Sequence, residues 1–143
     1  MKRLLIPALA ALLLLTGCAH APAPAPQQAA DAEAKAEPSW VQIDQETAKR
    51  MMEADDGHVV VDVRRQDEYD AGHIPGAVLI PNESIVDERP SELPDLEQVI
   101  LIYCRSGNRS KQAAQKLADM GYLNIYEFGG ITTWTGKIVK PEG

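Results

Sequence analysis

Short apolar segments recur along the chain from residue 59 onward and predict buried β-strands. Residues 59–63 and 99–103 are almost continuously apolar, as strands are when both faces of a sheet are covered. Residues 78–80 form a shorter segment of this kind, and residues 124–128 are predicted to be a further strand. Four strands separated by longer segments are therefore expected.

Helical patterns lie between these strands. Asp44 is a candidate N-cap for a helix that extends through residue 54, with its apolar side formed by Ala48, Met51 and Met52. Residues 67–71 are also expected to be helical, and a longer helix ends at Met120, where Gly121 supplies the C-terminal cap. Strands that alternate with helices pair in parallel, so the predicted fold class is α/β, an open parallel sheet flanked by helices.

The N-terminal residues 1–17 have the pattern of a secretory signal peptide, with a basic start and then an apolar stretch. That stretch has about 12 residues, fewer than the roughly 20 that cross a bilayer. The sequence Leu-Thr-Gly-Cys at residues 15–18 resembles the bacterial lipobox, which implies that Cys18 is acylated. An ordinary signal peptide beside an unmodified Cys18 is the alternative. We expect an exported protein, lipid-anchored in the cell envelope and facing the periplasm. Ala19 favours the outer membrane if the organism has two membranes.

Residues 18–39 are rich in Ala and Pro and contain no large apolar residue, so they are predicted to be a tether. In a polyproline II conformation, about twenty residues would reach up to ~60 Å. A short frayed helix over residues 29–37 is the alternative. Residues 40–143 then form one domain of about a hundred residues.

The charge balance excludes one class of partner. The chain has 14 basic and 21 acidic residues, a formal charge of −7, and without Lys2 and Arg3 the charge becomes −9. Nucleic acids are bound through a basic surface, so no nucleic-acid partner is expected. An anion site in this protein has to be a local feature.

One loop has the composition of such a site. It follows the strand at residues 99–103, opens a helix, and comprises Cys104, Arg105, Ser106, Gly107, Asn108, Arg109 and Ser110. Ligands of open α/β sheets bind at this kind of strand end. Free N–H groups at the helix start, the curl that Gly107 permits and the charges of Arg105 and Arg109 are expected to lower the pKa of Cys104.

The cysteine count narrows the chemistry further. The chain has 2 cysteines, so acylation of Cys18 would leave Cys104 as the one free thiol. A thioredoxin-type dithiol couple is therefore disfavoured, whereas a covalent relay on a single sulfur is compatible. The three histidines match no metal-ligand spacing, so neither a metal nor another cofactor is expected.

Three segments together resemble the rhodanese homology domain. They read VVVDVRRQDEYDAGHIPGA, VILIYCRSGNRS and YEFGGITTW, and the resemblance spans roughly residues 40–140. It implies a single, not a tandem, domain that acts as a sulfurtransferase through a Cys104 persulfide. The implied partners are a small anionic sulfur donor such as thiosulfate and a thiophilic acceptor, and we expect a monomer.

The resemblance also implies roles for individual residues. The persulfide and its donor would be held by Arg105, Ser106, Gly107, Asn108 and Arg109. Asp62 and Arg64 match the Asp-Val-Arg element at the end of the first main strand, where the acidic group supports the loop.

Two other functions remain open at this point. A Cys-dependent phosphatase or arsenate reductase would use the same thiolate and arginine, but its pattern has five residues between them, whereas Cys104 and Arg109 enclose four. A non-enzymatic rhodanese-like binding module is the second alternative, although such modules often lack the cysteine.

Overall fold

The computed structural model describes residues 39–141 of the chain. The predicted signal peptide at residues 1–17, Cys18 and almost all of the predicted tether lie outside these residues. Within the described range, no helix is both long and apolar enough to span a membrane.

The described residues form five strands and three α-helices, in an order that largely follows the predicted one. Their bounds are β1 (Trp40–Gln42), α1 (Gln45–Met52), β2 (Val59–Asp62), α2 (Gln66–Ala71), β3 (Val78–Leu79), β4 (Val99–Cys104), α3 (Asn108–Asp119) and β5 (Asn124–Gly130). Short 3₁₀ turns occur at Asn82–Ser84 and Ile131–Thr133.

The five strands form one sheet in the order β1-β5-β4-β2-β3, and every pair is parallel. The predicted α/β class with an open parallel sheet is therefore confirmed. Strand β4 lies at the centre, where its apolar residues are covered on both faces.

The core is divided between the two faces of the sheet because side chains alternate along each strand. Ile100, Ile102 and Cys104 of β4 face the cluster that contains the apolar side of α3. Leu101 and Tyr103 face the opposite cluster, which contains Ala48 of α1. This alternation places the reactive cysteine on the α3 face.

The predicted cap residues at the start of α1 and the end of α3 agree with the structure. The Asp44 side chain accepts a hydrogen bond from the Thr47 amide at 2.7 Å, which caps α1. Gly121 has φ +96° after α3, and the Tyr122 amide donates to the Leu117 carbonyl at 3.2 Å. This is the Schellman geometry that a glycine permits.

Several element bounds differ from the sequence prediction, and α1 ends at Met52 rather than at residue 54. Strand β1 was not predicted, because it has only three residues and two of them are exposed. Strand β4 extends one residue further, through Cys104, and β5 extends through Gly130. The β4–β5 register shifts between Ile102 and Cys104, so that Cys104 pairs with Gly130. This irregularity in the ladder lies directly beside the cysteine.

Candidate functional site

Cys104 is the last residue of the central strand and is only 1% exposed. Its sulfur accepts a hydrogen bond from the Gly107 amide at 3.1 Å and one from the Ser110 hydroxyl at 3.5 Å. Gly107 lies in the turn that leads into α3, and Ser110 lies in the first turn of that helix. The sulfur therefore lies at the N-terminus of α3, where N–H groups and the helix dipole favour an anion.

The hydrogen bonds decide the acidity of the Cys104 thiol. Burial raises its pKa, but hydrogen bonds from the Ser110 hydroxyl and from the amides of Ser110, Gly107 and Ser106 outweigh burial, so the pKa is lowered overall. A lowered pKa increases the population of thiolate, which is the nucleophilic form of cysteine.

Gly107 gives the loop its shape. Its φ of +99° lies in the left-handed region, which costs a glycine little, and it precedes the first residue of α3. The Arg105 carbonyl accepts hydrogen bonds from the Thr132 amide and hydroxyl at 3.2 and 2.9 Å, which fastens the loop to the chain after β5. The side chains of Ser106 and Asn108, like that of Arg105, are exposed.

Arg109 forms a bidentate ion pair with Glu68 of α2. Its two terminal nitrogens donate to the Glu68 carboxylate oxygens at 2.7 and 2.8 Å. These hydrogen bonds lower the pKa of Glu68 to about 2 and raise the pKa of Arg109. The negative charge of Cys104 raises the pKa of Arg109 less than Glu68 does. The guanidinium is therefore bound mainly to the Glu68 carboxylate.

Asp62 and Arg64 form a buried network beside the cysteine. The carboxylate of Asp62, 0% exposed, accepts from Arg64 Nε at 2.9 Å, from Arg64 Nη2 at 2.6 Å and from the Tyr103 hydroxyl at 2.6 Å. Arg64 also donates to the Gly72 carbonyl at 2.7 Å, and the Ile74 amide donates to the Tyr103 hydroxyl at 3.1 Å. Because Tyr103 precedes Cys104, the network fixes the end of β4 from the face opposite the sulfur.

The pKa shifts within this network follow from its burial. Burial raises the pKa of Tyr103, and the hydrogen bond to Asp62 raises it further. For Arg64, burial opposes the charge, but hydrogen bonding to Asp62 and its negative charge outweigh burial and raise the pKa. Arg64 therefore stays protonated and paired with the buried Asp62 carboxylate.

Sequence reasoning missed Glu127, which lies behind the loop. It is 0% exposed, and its Oε1 accepts from the Gly129 amide at 2.8 Å. The single Ser110 hydroxyl proton can be donated either to this oxygen at 2.7 Å or to the Cys104 sulfur at 3.5 Å. The only signal in the sequence is an acidic residue on the buried side of β5, two positions after Ile125.

Gly130 forms the floor beneath the loop. A methyl group at this position would overlap the Arg105 carbonyl oxygen and lie 2.5 Å from the Ser106 Cα. Both groups belong to the backbone, so neither can move without displacing the loop. The backbone of Gly130 itself has an ordinary φ of −133°, which any residue adopts.

Gly130→Ala is expected to displace the loop and weaken the hydrogen bonds to Cys104. Each bond to a charged group is worth ~1.5–3 kcal/mol, so the thiolate titration should move up by about one pH unit or more. The measurement is the ultraviolet thiolate absorbance against pH. Gly57→Ala is the control, because a methyl group there meets open space and the backbone strain from its φ of +76° lies outside the Cys104 loop. An unchanged titration in Gly130→Ala would contradict the assigned role of the floor.

Within residues 39–141, no group of three or more His, Cys, Asp or Glu side chains is placed to hold a metal ion. The donors around Cys104 are N–H and O–H groups, which suit an anionic sulfur. Fold and site together define an α/β domain whose central strand ends in a buried cysteine, with its pKa lowered by hydrogen bonds from the loop that opens the next helix.

The family follows from comparison with known proteins. The model of the rhodanese-like domain matches residues 44–137, and the chain belongs to this family. A rhodanese with anions from E. coli has a similar structure, with a TM-score of 0.54 and 30% sequence identity, over 58% of this chain and 98% of that chain.

Curated relatives carry names from sulfur metabolism. The chain is 36% identical to a sulfurtransferase of Allochromatium vinosum, over 71% of this chain and 97% of that protein. It is 40% identical to the thiosulfate sulfurtransferase GlpE of Pseudomonas entomophila, over 55% of this chain and 72% of that protein. It is 35% identical to the putative sulfur carrier protein YrkF of Bacillus subtilis, over 67% of this chain, and spans about half, 51%, of that protein's length. These names support a sulfurtransferase of rhodanese type.

Proposed function

We propose that this protein moves sulfane sulfur from an anionic donor such as thiosulfate to a thiophilic acceptor through a persulfide on Cys104. The observation that carries the proposal is the buried Cys104 sulfur, which accepts hydrogen bonds from Gly107 and Ser110 at the N-terminus of α3. A site of this kind stabilises a thiolate and offers donors to a second sulfur bound to it.

The reaction has two displacement steps. The Cys104 thiolate attacks the outer sulfur of thiosulfate, the sulfur–sulfur bond breaks, and sulfite leaves with the bonding electrons. A nucleophile such as cyanide then attacks the outer sulfur of the persulfide, which forms thiocyanate and releases the Cys104 thiolate. Both steps are thiol–disulfide-type exchanges, and neither requires a cofactor.

The loop residues have separate roles in this proposal. The exposed guanidinium of Arg105 attracts the anionic donor, while the backbone of Ser106, Gly107 and Asn108 lines the space for the persulfide. Arg109 stays paired with Glu68, so its positive charge acts on the persulfide only at short range. Asp62 and Arg64 hold the strand end in position through Tyr103.

Incubation with thiosulfate is expected to add one sulfur atom to the wild-type protein. The thiolate is available and the loop stabilises the persulfide, so intact-protein mass spectrometry should show the gain, and cyanide should reverse it. Absence of the gain in a folded, reduced protein would contradict the proposal and favour a non-enzymatic binding module.

An aryl phosphate assay on the same protein distinguishes the rival phosphatase. Four residues between Cys104 and Arg109, with the guanidinium held by Glu68, leave a tighter ring than a phosphoryl group needs. Hydrolysis of the aryl phosphate without any sulfur gain would reverse the assignment.

The location of the reaction is a further part of the proposal. The sequence of residues 1–18 supports export and acylation of Cys18, and residues 18–39 support a tether between the lipid and the domain. Sulfur transfer would then take place in the cell envelope, on the periplasmic side.

A further inference from the structure

Glu127 is a carboxylic acid in an unusual position. Its side chain lies on the α3 face of β5, fully buried, one hydrogen bond away from Ser110 and two away from the Cys104 sulfur. Its second oxygen, Oε2, is buried and has no hydrogen-bond partner among the described residues. An ionised carboxylate normally gathers donors around both oxygens when it is removed from water.

A thiolate on Cys104 and a carboxylate on Glu127 would place two negative charges in one buried space. Like charges that contact the same hydroxyl group strongly disfavour each other when water is excluded. Pairs of this kind lower the cost by retaining one proton between them. The Ser110 hydroxyl connects the two groups and can donate to either one.

We infer that Cys104 and Glu127 share one proton through Ser110, so that the pair carries a single negative charge. The thiol proton passes to Ser110 Oγ as the Ser110 hydroxyl proton passes to Glu127 Oε1. The products are a thiolate and a neutral carboxylic acid, and the reverse transfer restores the thiol. Glu127 is then a positioning residue that acts on the sulfur through Ser110.

The other charged groups around Glu127 have partners of their own or are exposed. On α3, Arg109 is bound to Glu68 and Lys116 donates to Asn82, while Lys111 is exposed. On α1, which packs on the opposite face, Lys49 donates to Glu46 and Arg50 donates to Thr47. Strand β1 contributes Trp40, Val41 and Gln42, none of which titrates as an acid or base. Cys104 is thus the titratable group that shares a hydrogen-bond partner with Glu127 in the described part of the chain.

This inference rests on the proposed sulfur transfer for its role in the reaction. While sulfur is carried on Cys104, Glu127 keeps the proton and the negative charge stays on the sulfur side. When the acceptor has left with the outer sulfur, the proton can return through Ser110. The thiol form is then restored without exchange of a proton with solvent.

Titration of the thiolate in the full chain tests the shared proton. Wild-type ultraviolet thiolate absorbance should rise in two steps with pH, and Glu127→Gln should show one step. The midpoint of the Glu127→Gln titration should lie about one pH unit or more below the upper wild-type step, because the negative charge of the carboxylate is gone. Cys104→Ser supplies the baseline, since the chain has a second cysteine, Cys18. The exposed Glu97→Gln is the matched control and should titrate like the wild type.

A second measurement leaves Glu127 itself unchanged. The NMR signal of the Glu127 carboxyl carbon is assigned by its absence in Glu127→Gln. Its chemical shift should change with pH in two steps in the wild type and in one step in Cys104→Ser. Superimposable curves for the two proteins, or for wild type and Glu127→Gln in the thiolate titration, would overturn the shared proton.

The outcomes separate this inference from the proposed function. Sulfur gain from thiosulfate together with identical titration curves would leave the persulfide function intact and remove the role of Glu127. Two-step titration without sulfur gain would support the shared proton and contradict sulfur transfer.

Discussion

Cys104→Ser is expected to abolish sulfur transfer, with a fall of about 10³-fold or more in the rate with thiosulfate and cyanide. A serine hydroxyl is not ionised near neutral pH and cannot form the sulfur–sulfur bond of a persulfide. Serine is close to cysteine in size, and its oxygen can still accept from the Gly107 amide. The fold should therefore survive, and circular dichroism should be unchanged while thiocyanate production is lost.

Cys18→Ala is the matched control for this result, because Cys18 is the other of the 2 cysteines in the chain. Its purified protein should retain the wild-type rate in solution, since the proposed reaction uses Cys104 alone. Activity that survived in Cys104→Ser and disappeared in Cys18→Ala would assign the reaction to Cys18 and contradict the proposal.

Asp62→Ala is expected to cost the fold about 3–5 kcal/mol of free energy of unfolding. The substitution leaves the Arg64 charge, 5% exposed, without its carboxylate and deprives the Tyr103 hydroxyl of its acceptor. An uncompensated buried charge is among the few single changes with an effect of this size. Urea unfolding of the two proteins measures the difference.

Asp67→Ala is the appropriate control for this change. Asp67 has 74% of its side chain exposed and lies 3.5 Å from Arg65, so its removal should change the free energy of unfolding by about 0.5 kcal/mol or less. A loss below about 1 kcal/mol in Asp62→Ala would show that the buried network contributes little to stability.

The elements that could be predicted are those whose pattern is set by burial. Strands β2 and β4 are covered on both faces, and the long apolar side of α3 ends at a glycine. Strand β1 is held by pairing with β5 rather than by its own composition, so its sequence carries no periodic signal. The extension of β5 to Gly130 depends on a register shift against β4, which no local pattern encodes.

The residues of the site also divide into those that the sequence predicts and those that it does not. The loop and its cysteine are contiguous in the sequence, so their spacing already indicated a nucleophile at a helix start. The partners of the loop come from distant positions. Glu68 lies 41 residues before Arg109, and Glu127 lies 17 residues after Ser110. Both look like ordinary surface carboxylates until the fold brings them together.

The pairing of Arg109 with Glu68 also bears on how the proposed reaction would select its sulfur donor. A guanidinium already neutralised by a carboxylate projects little field into solvent, and the chain as a whole is acidic. Long-range attraction then contributes little to the capture of an anion, apart from that of Arg105. In the proposed reaction, the sulfur donor would then be selected at contact distance, by how well its size and shape fit the peptide N–H groups of one tight turn.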